Sequence, residues 1–117
     1  MKDVTTLAAD NIRILAASMV EKSKSGHPGG AMGGADFINI LYTDPLRDRF
    51  FLDPGHMSPM LYSVLALAGY FTLDELKDFR QWGSPTPGHP ERDLKRAIEN
   101  TSGPLGQGHA MALGAAI

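Results

Sequence analysis

Apolar residues recur at helical spacing through the first part of the chain. Leu7, Ile12, Leu15, Met19 and Val20 fall on one side of a helix predicted over residues 5–24, with Asp10, Asn11, Arg13 and Ser18 on the other. Lys22 and Lys24 suit the negative end of its dipole, and Gly26 is a natural stop. A second stripe, Met32, Ala35, Ile38, Leu41 and Tyr42, predicts a helix from Gly30 to Tyr42. Gly33 and Gly34 each weaken it by about 1 kcal/mol relative to alanine, so another element is expected to pack closely there. Ser58-Pro59 reads as N-cap and first helical position of a helix reaching Ala68, closed by Gly69. Thr72 and Glu75 have capping-box spacing and predict a helix through Phe79. Arg49-Phe50-Phe51-Leu52 is the one stretch that reads as a strand, and it is short. It runs at once into Asp53-Pro54-Gly55-His56 and then into the helix opening at Ser58, which makes half of a βα unit. In open α/β sheets ligands bind beyond the carboxyl ends of such strands, so His56 would stand at that edge.

Composition narrows the class. A chain of 117 residues with 43% hydrophobic and 21% charged residues is about one globular domain. A formal charge of −2 provides no broad basic field, which argues against nucleic-acid binding. The absence of cysteine excludes a disulfide framework, thiolate zinc sites and a cysteine nucleophile. The first residues carry Asp3 and Asp10 without a continuous apolar stretch, so no signal peptide is expected. No run approaches the roughly 18–20 apolar residues of a membrane span. The expected compartment is the cytoplasm.

The glycines and histidines carry the candidate chemistry. Glycine clusters at 26–34 and 103–114, proline at 85–90, and each of the four histidines follows a glycine: Gly26-His27, Gly55-His56, Gly88-His89 and Gly108-His109. With 13 glycines in 117 residues, that coincidence has chance odds on the order of 10⁻⁴. A glycine beside a functional side chain lets the backbone turn sharply or approach a ligand. The alternative is that glycine-rich loops simply sit beside exposed histidines. Ser25-Gly26-His27-Pro28-Gly29-Gly30 and Ser102-Gly103-Pro104-Leu105-Gly106-Gln107-Gly108 both precede helices, whose N-termini attract anions. Neither stretch is a P-loop or a dinucleotide-binding fingerprint. No histidine pair has the i, i+4 spacing of a helical metal site, so any metal centre would be assembled from distant loops. Ser58 and Ser102 lack the G-x-S-x-G elbow of a hydrolase nucleophile.

Taken in order, Ser25-Gly26-His27-Pro28-Gly29, Asp48-Arg49-Phe50 with Gly55-His56, Thr86-Pro87-Gly88-His89-Pro90-Glu91 and Thr101-Ser102-Gly103-Pro104-Leu105-Gly106-Gln107-Gly108 form a recognisable series. It resembles the N-terminal part of the transketolase family, thiamine-diphosphate enzymes, at the start of the diphosphate-binding domain. The resemblance covers nearly the whole chain, and its last two motifs are highly specific. Leu61-Tyr62-Ser63 and the stretch from Asp74 to Gln81 look like the family as well. The fold implied is α/β: a partial three-layer α/β/α thiamine-diphosphate-binding fold, helix-rich in the portion present. The activity implied is transfer of a two-carbon ketol unit from a ketose phosphate to an aldose phosphate.

The resemblance also implies roles. His27 matches the histidine that faces the sugar and assists proton transfer, and His89 the one that hydrogen-bonds the donor sugar. Both are thus candidate catalytic and substrate-binding residues. His56 matches the histidine on the cofactor's diphosphate, and Gly103, Pro104 and Leu105 match the segment lying against the cofactor. His109 matches no clear role and reads as structural, since many members carry an apolar residue there. Histidine suits a ketose donor, which has no group ionising near neutrality, because imidazole exchanges protons there at modest cost. The family's magnesium (or calcium) site is absent from these residues, as are the activating glutamate and the pyrimidine-binding domain. The metal ligands are therefore expected outside this chain. The connection Thr43-Asp44-Pro45-Leu46 looks abridged, and the sequence stops inside an apolar run at Ile117. The chain reads as the N-terminal part of one domain, ending inside it, with sugar phosphates, the remaining chain or a C-terminal subunit, and a second copy in a homodimer as partners. The alternatives are a subunit of a split or related thiamine-dependent synthase with other sugar specificity, and a non-catalytic remnant acting only in assembly.

Overall fold

The structure, a computed structural model, describes residues 3–44 and 49–117. Six α-helices are present among them: α1 Val4–Ser23, α2 Pro28–Gly33, α3 Ala35–Thr43, α4 Ser58–Leu67, α5 Leu73–Lys77 and α6 Gln107–Ala116. Two 3₁₀ turns, Gly55–Met57 and Leu94–Arg96, complete the regular structure. Pro45, Leu46 and Asp48, which carry the abridged connection and one end of a motif, lie outside the described residues.

Helix α4 is the centre of the molecule. Eight successive residues, Ser58 to Leu65, are buried, as expected of a helix covered on every side. Helices α1, α2, α3 and α5 all pack against it. The long α1 contributes Ala9, Ile12, Ala16 and Met19 to the core, and Ala31, Ala35 and Ile38 of α2 and α3 join them. Leu7 and Met32, expected on the buried stripes, are exposed instead: the buried face of α1 runs through Ala9, Ile12, Ala16 and Met19, and Leu7 lies on the opposite side of the helix with the exposed Ile14. Asp3 caps α1 through its carboxylate, which accepts from the Thr6 N–H at 2.8 Å. Exposed as it is, Asp3 has its pKa lowered by that bond and by the Thr6 hydroxyl.

The helix expected over Gly30–Tyr42 is two helices. Gly34 breaks it, with φ −84° and ψ 0°, and its N–H bonds the Gly30 carbonyl at 3.0 Å. A Cβ on Gly34 would fall 2.4 Å from the Met60 sulfur, whereas Gly33 has open space around it. The close packing anticipated from the glycine pair therefore belongs to Gly34 alone. Ser58 is not an N-cap: it already has helical backbone angles, because the Gly55–Met57 turn leads straight into α4. Helix α4 ends in a Schellman motif, the Tyr70 N–H on Leu65 O at 2.8 Å and Gly69 N–H on Ala66 O at 3.0 Å. The capping box is formed in both directions, Glu75 N–H to Thr72 Oγ1 at 3.2 Å and Thr72 N–H to Glu75 Oε2 at 2.8 Å. Helix α5 nonetheless stops at Lys77, and residues 78–80 form a turn.

The expected strand at Arg49–Leu52 is not formed. A strand needs a neighbour, and among the described residues the sole β pairing is an isolated antiparallel bridge between Asp93 and Ile98. Asn100 stands in for that neighbour. Its amide accepts from the Leu52 N–H at 3.0 Å and donates to the Leu52 carbonyl at 3.2 Å. The described portion is thus the helical part of the architecture.

Candidate active site

Four loops meet above the N-terminal end of α4. The first carries His27, which sits at the N-cap position of α2 with extended backbone and no capping bond from its side chain. The second is the Gly55–Met57 turn with His56. Helix α2 lies close on this turn, since a Cβ on Gly30 would meet the Met57 side chain at 3.0 Å. That packing brings the two imidazoles together, with ring centroids 4.8 Å apart and planes tilted by 56°.

The third loop is Thr86–Pro90. Its turn is tied to α4 from below by two hydroxyls: Ser58 Oγ donates to Gly88 O at 2.7 Å and Tyr62 OH donates to Pro87 O at 2.9 Å. Thr86, fully buried, donates its hydroxyl to Glu75 O at 3.0 Å. His89 emerges from this turn against Gly55: a Cβ there would fall 3.1 Å from His89 Cδ2 and 2.9 Å from Ser102 Oγ. So His27, His56 and His89 stand around one turn, with His27 and His89 exposed and His56 half-buried.

The fourth loop is Gly103-Pro104-Leu105. It starts from Ser102, whose N–H donates to Pro90 O at 3.1 Å, and ends at Gly106, whose N–H donates to Asp53 Oδ2 at 2.8 Å. The loop therefore bridges the Asp53–Gly55 turn. None of its three side chains can form a hydrogen bond, so it presents backbone, and Leu105 is 73% exposed. Ser102 Oγ is buried with no hydrogen-bond partner beside His89. Asp53 also pairs with His109, Nδ1 to Oδ2 at 2.7 Å. His109, exposed on α6, thus ties that helix to Asp53 at the start of the second loop.

Spacing gave no sign of several supporting residues. Ser58, Tyr62, Asn100 and Asp53 act across separations of 25 to 56 residues. Asp53 and Ser58 sit beside Gly55-His56 in the sequence, and that adjacency is the one signal available. Burial, reinforced by the negative charge of Glu91, pushes the Tyr62 phenol above its ordinary pKa of 10.0. It stays protonated and remains a donor to Pro87. Because the folded protein holds this proton more tightly than the unfolded chain, its contribution is complete below about pH 10 and is lost as pH rises beyond. In the complete protein Tyr62→Phe should cost about 1 kcal/mol at pH 7 and make stability above about pH 10 less pH-dependent. Urea melts at both pH values test this; an unchanged alkaline slope would contradict it.

The family model described as "Transketolase, thiamine diphosphate binding domain" matches residues 4–117. The chain belongs to the transketolase family. It is 49% identical over 122 residues to the transketolase of Staphylococcus epidermidis, covering 95% of this chain and 18% of that protein. The match to the transketolase of Halalkalibacterium halodurans is 49% over 128 residues, 99% of this chain and 19% of the relative. Both alignments are longer than the 117 residues of this chain, so these transketolases carry extra residues relative to it. Transketolase from Leishmania mexicana has the same fold, with a TM-score of 0.89 and 45% identity over 99% of this chain and 19% of that one. A transketolase of Pichia stipitis, in complex with sedoheptulose-7-phosphate, gives 0.86 and 41% over 97% and 18%. The fold is thus the α/β thiamine-diphosphate-binding fold of transketolases, helix-rich in this portion. The chain spans about a fifth of the length of these relatives.

Proposed function

We propose that these residues form the N-terminal part of a transketolase that transfers a two-carbon ketol unit from a ketose phosphate to an aldose phosphate. The observation that carries this reading is the meeting of His27, His56 and His89 around Gly55, under a loop that offers backbone and one exposed leucine. The sugar-phosphate substrate class draws support from the relative in complex with sedoheptulose-7-phosphate.

The residues present fit one side of thiamine diphosphate. The buried, unpartnered Ser102 hydroxyl and the Gly103–Leu105 backbone provide polar groups beside an apolar contact, which suits a flat heteroaromatic ring. His56, half-buried beneath, is placed to donate to the diphosphate. When bound, the cofactor supplies the electron sink for breaking and making the carbon–carbon bond. His27 exchanges the proton of a sugar hydroxyl, and His89 donates to or accepts from the donor sugar and holds its orientation. Among the described residues no group of three His, Cys, Asp or Glu could hold a metal ion. Magnesium or calcium would therefore be held by oxygen ligands elsewhere in the longer protein. We further place the protein in the cytoplasm as a homodimer; no helix among the described residues is long and apolar enough to cross a membrane.

The 117 residues on their own should bind thiamine diphosphate weakly. Their net charge is −2, and exposed helix N-termini contribute only about 0.3–1 kcal/mol each toward an anion. Calorimetry with cofactor and magnesium tests this, followed by a ketol-transfer assay after the rest of the protein is joined or added. Activity that emerges only with the remainder is the expected result. Micromolar binding by the isolated piece would overturn the division of the site, and no transfer by the complete protein would overturn the function.

A further inference from the structure

Arg80 connects two of the four loops. Its backbone is left-handed, φ 61°, a conformation sterically costly for any residue with a Cβ and found where surroundings over-determine it. Its N–H donates to Thr86 O at 3.0 Å and closes the loop over 81–85. Its guanidinium covers the α-carbon of Gly88: a Cβ there would lie 2.7 Å from Nε, 3.0 Å from Cζ and 3.2 Å from Nη2. The same group reaches the His27 loop, where Nη1 donates to Ser25 Oγ at 2.9 Å across 55 residues of sequence. Phe79, the residue before it, supports the same loop. Its ring edge lies 3.4 Å from where a Cβ on Gly26 would stand, and Gly26 has φ 129°, open to glycine.

The guanidinium also stands over the Phe79 ring, with Cζ 5.6 Å from its centroid. Nε is buried and has no hydrogen-bond partner. Among the described residues Arg80 makes no ion pair with a carboxylate, unlike Arg13, Arg49 and Arg96. The guanidinium thus has aromatic and hydroxyl partners but no anionic one, and it stands on the wall of an 880 Å³ cavity that His89 also lines.

We propose that Arg80 is a positioning residue: it fixes the separation between the His27 loop and the Pro87–His89 turn, so that both imidazoles address one substrate. This rests on the ketol-transfer reading above. Methionine at 80 would fill similar space without the donors. Lysine would keep the charge but could not cover Gly88 and reach Ser25 with one planar group.

The test uses the complete protein and the variants Arg80→Met, Arg80→Lys, Ser25→Ala and the Ser25→Ala/Arg80→Met double. Arg80→Met should lower kcat/KM for the donor by about 10- to 100-fold, since a misplacement of about 1 Å has effects of that order. Its affinity for thiamine diphosphate should be unchanged, and Arg80→Lys should remain impaired. Ser25→Ala should show a smaller loss, and the double variant should be no worse than Arg80→Met, as expected of two residues acting through one contact. Amide hydrogen exchange should rise at 25–30 and 87–91 together while α1 and α4 stay protected. Additive losses, wild-type kcat/KM in Arg80→Met, or a uniform rise in exchange would overturn the proposal. If the unmodified protein transfers no ketol unit, the functional reading fails, while the exchange measurement still decides whether Arg80 couples the loops.

Discussion

Alanine at His27 should lower the proposed ketol-transfer turnover of the complete protein by about 10²–10⁴-fold, the range lost when a positioned proton-transfer group is removed. Cofactor affinity and thermal stability should change little. His27 is exposed and its side chain makes no capping bond to α2. Among the described residues its ring contact is with His56, 4.8 Å away, so truncation removes chemistry and almost no packing. His56→Ala should behave differently: half-buried and under the proposed diphosphate, it should weaken cofactor binding first and turnover at saturating cofactor much less. Steady-state kinetics, calorimetry and thermal melts on both variants separate the cases. Two variants that lose the same few degrees of stability and keep wild-type kcat would reduce both histidines to loop residues.

Gly108→Ala should have the largest structural effect. A Cβ there would fall 2.4 Å from Asp53 Cβ, 2.8 Å from Leu52 O and 3.2 Å from Asp53 Cγ. Leu52 cannot retreat, because Asn100 holds both its N–H and its carbonyl. Helix α6 would have to move instead, breaking the Gly106 and His109 bonds to Asp53 and carrying the Gly103–Leu105 loop with it. The expected result is a destabilisation of about 1–3 kcal/mol, typical of overpacking, together with weaker thiamine diphosphate binding. Gly114→Ala is the control. It lies in the same helix with no atom within 4 Å of a new Cβ, so helix propensity should make it neutral to stabilising. Denaturant melts that place the two variants at equal stability would show that α6 does not depend on the Asp53 junction.

The amino-acid sequence by itself determined the local structure and supplied the side chains of the candidate site. Helix α1, the capping box of α5 and the stop after α4 follow from residues within a turn or two of one another, whose interactions need no other part of the chain. The Gly-His pairs and the Gly103-Pro104-Leu105 loop were legible for the same reason: backbone permissiveness and the lack of side-chain donors are properties of the residues themselves. What tertiary structure decided was everything that depends on contacts between distant segments. Gly34 rather than Gly33 became the close-packed glycine because Met60 of α4 lies there. Arg49–Leu52 stayed extended without a ladder because strand pairing requires a partner, and Asn100 supplies the bonds to Leu52 instead. Ser58, with N-cap chemistry, donates to Gly88 because the turn before it already holds helical angles. The meeting of His27, His56 and His89 is likewise a tertiary fact. Helix α4 holds the Pro87–His89 turn, α2 rests on Met57, and only those packing contacts bring residues 29 and 33 apart in sequence around one glycine.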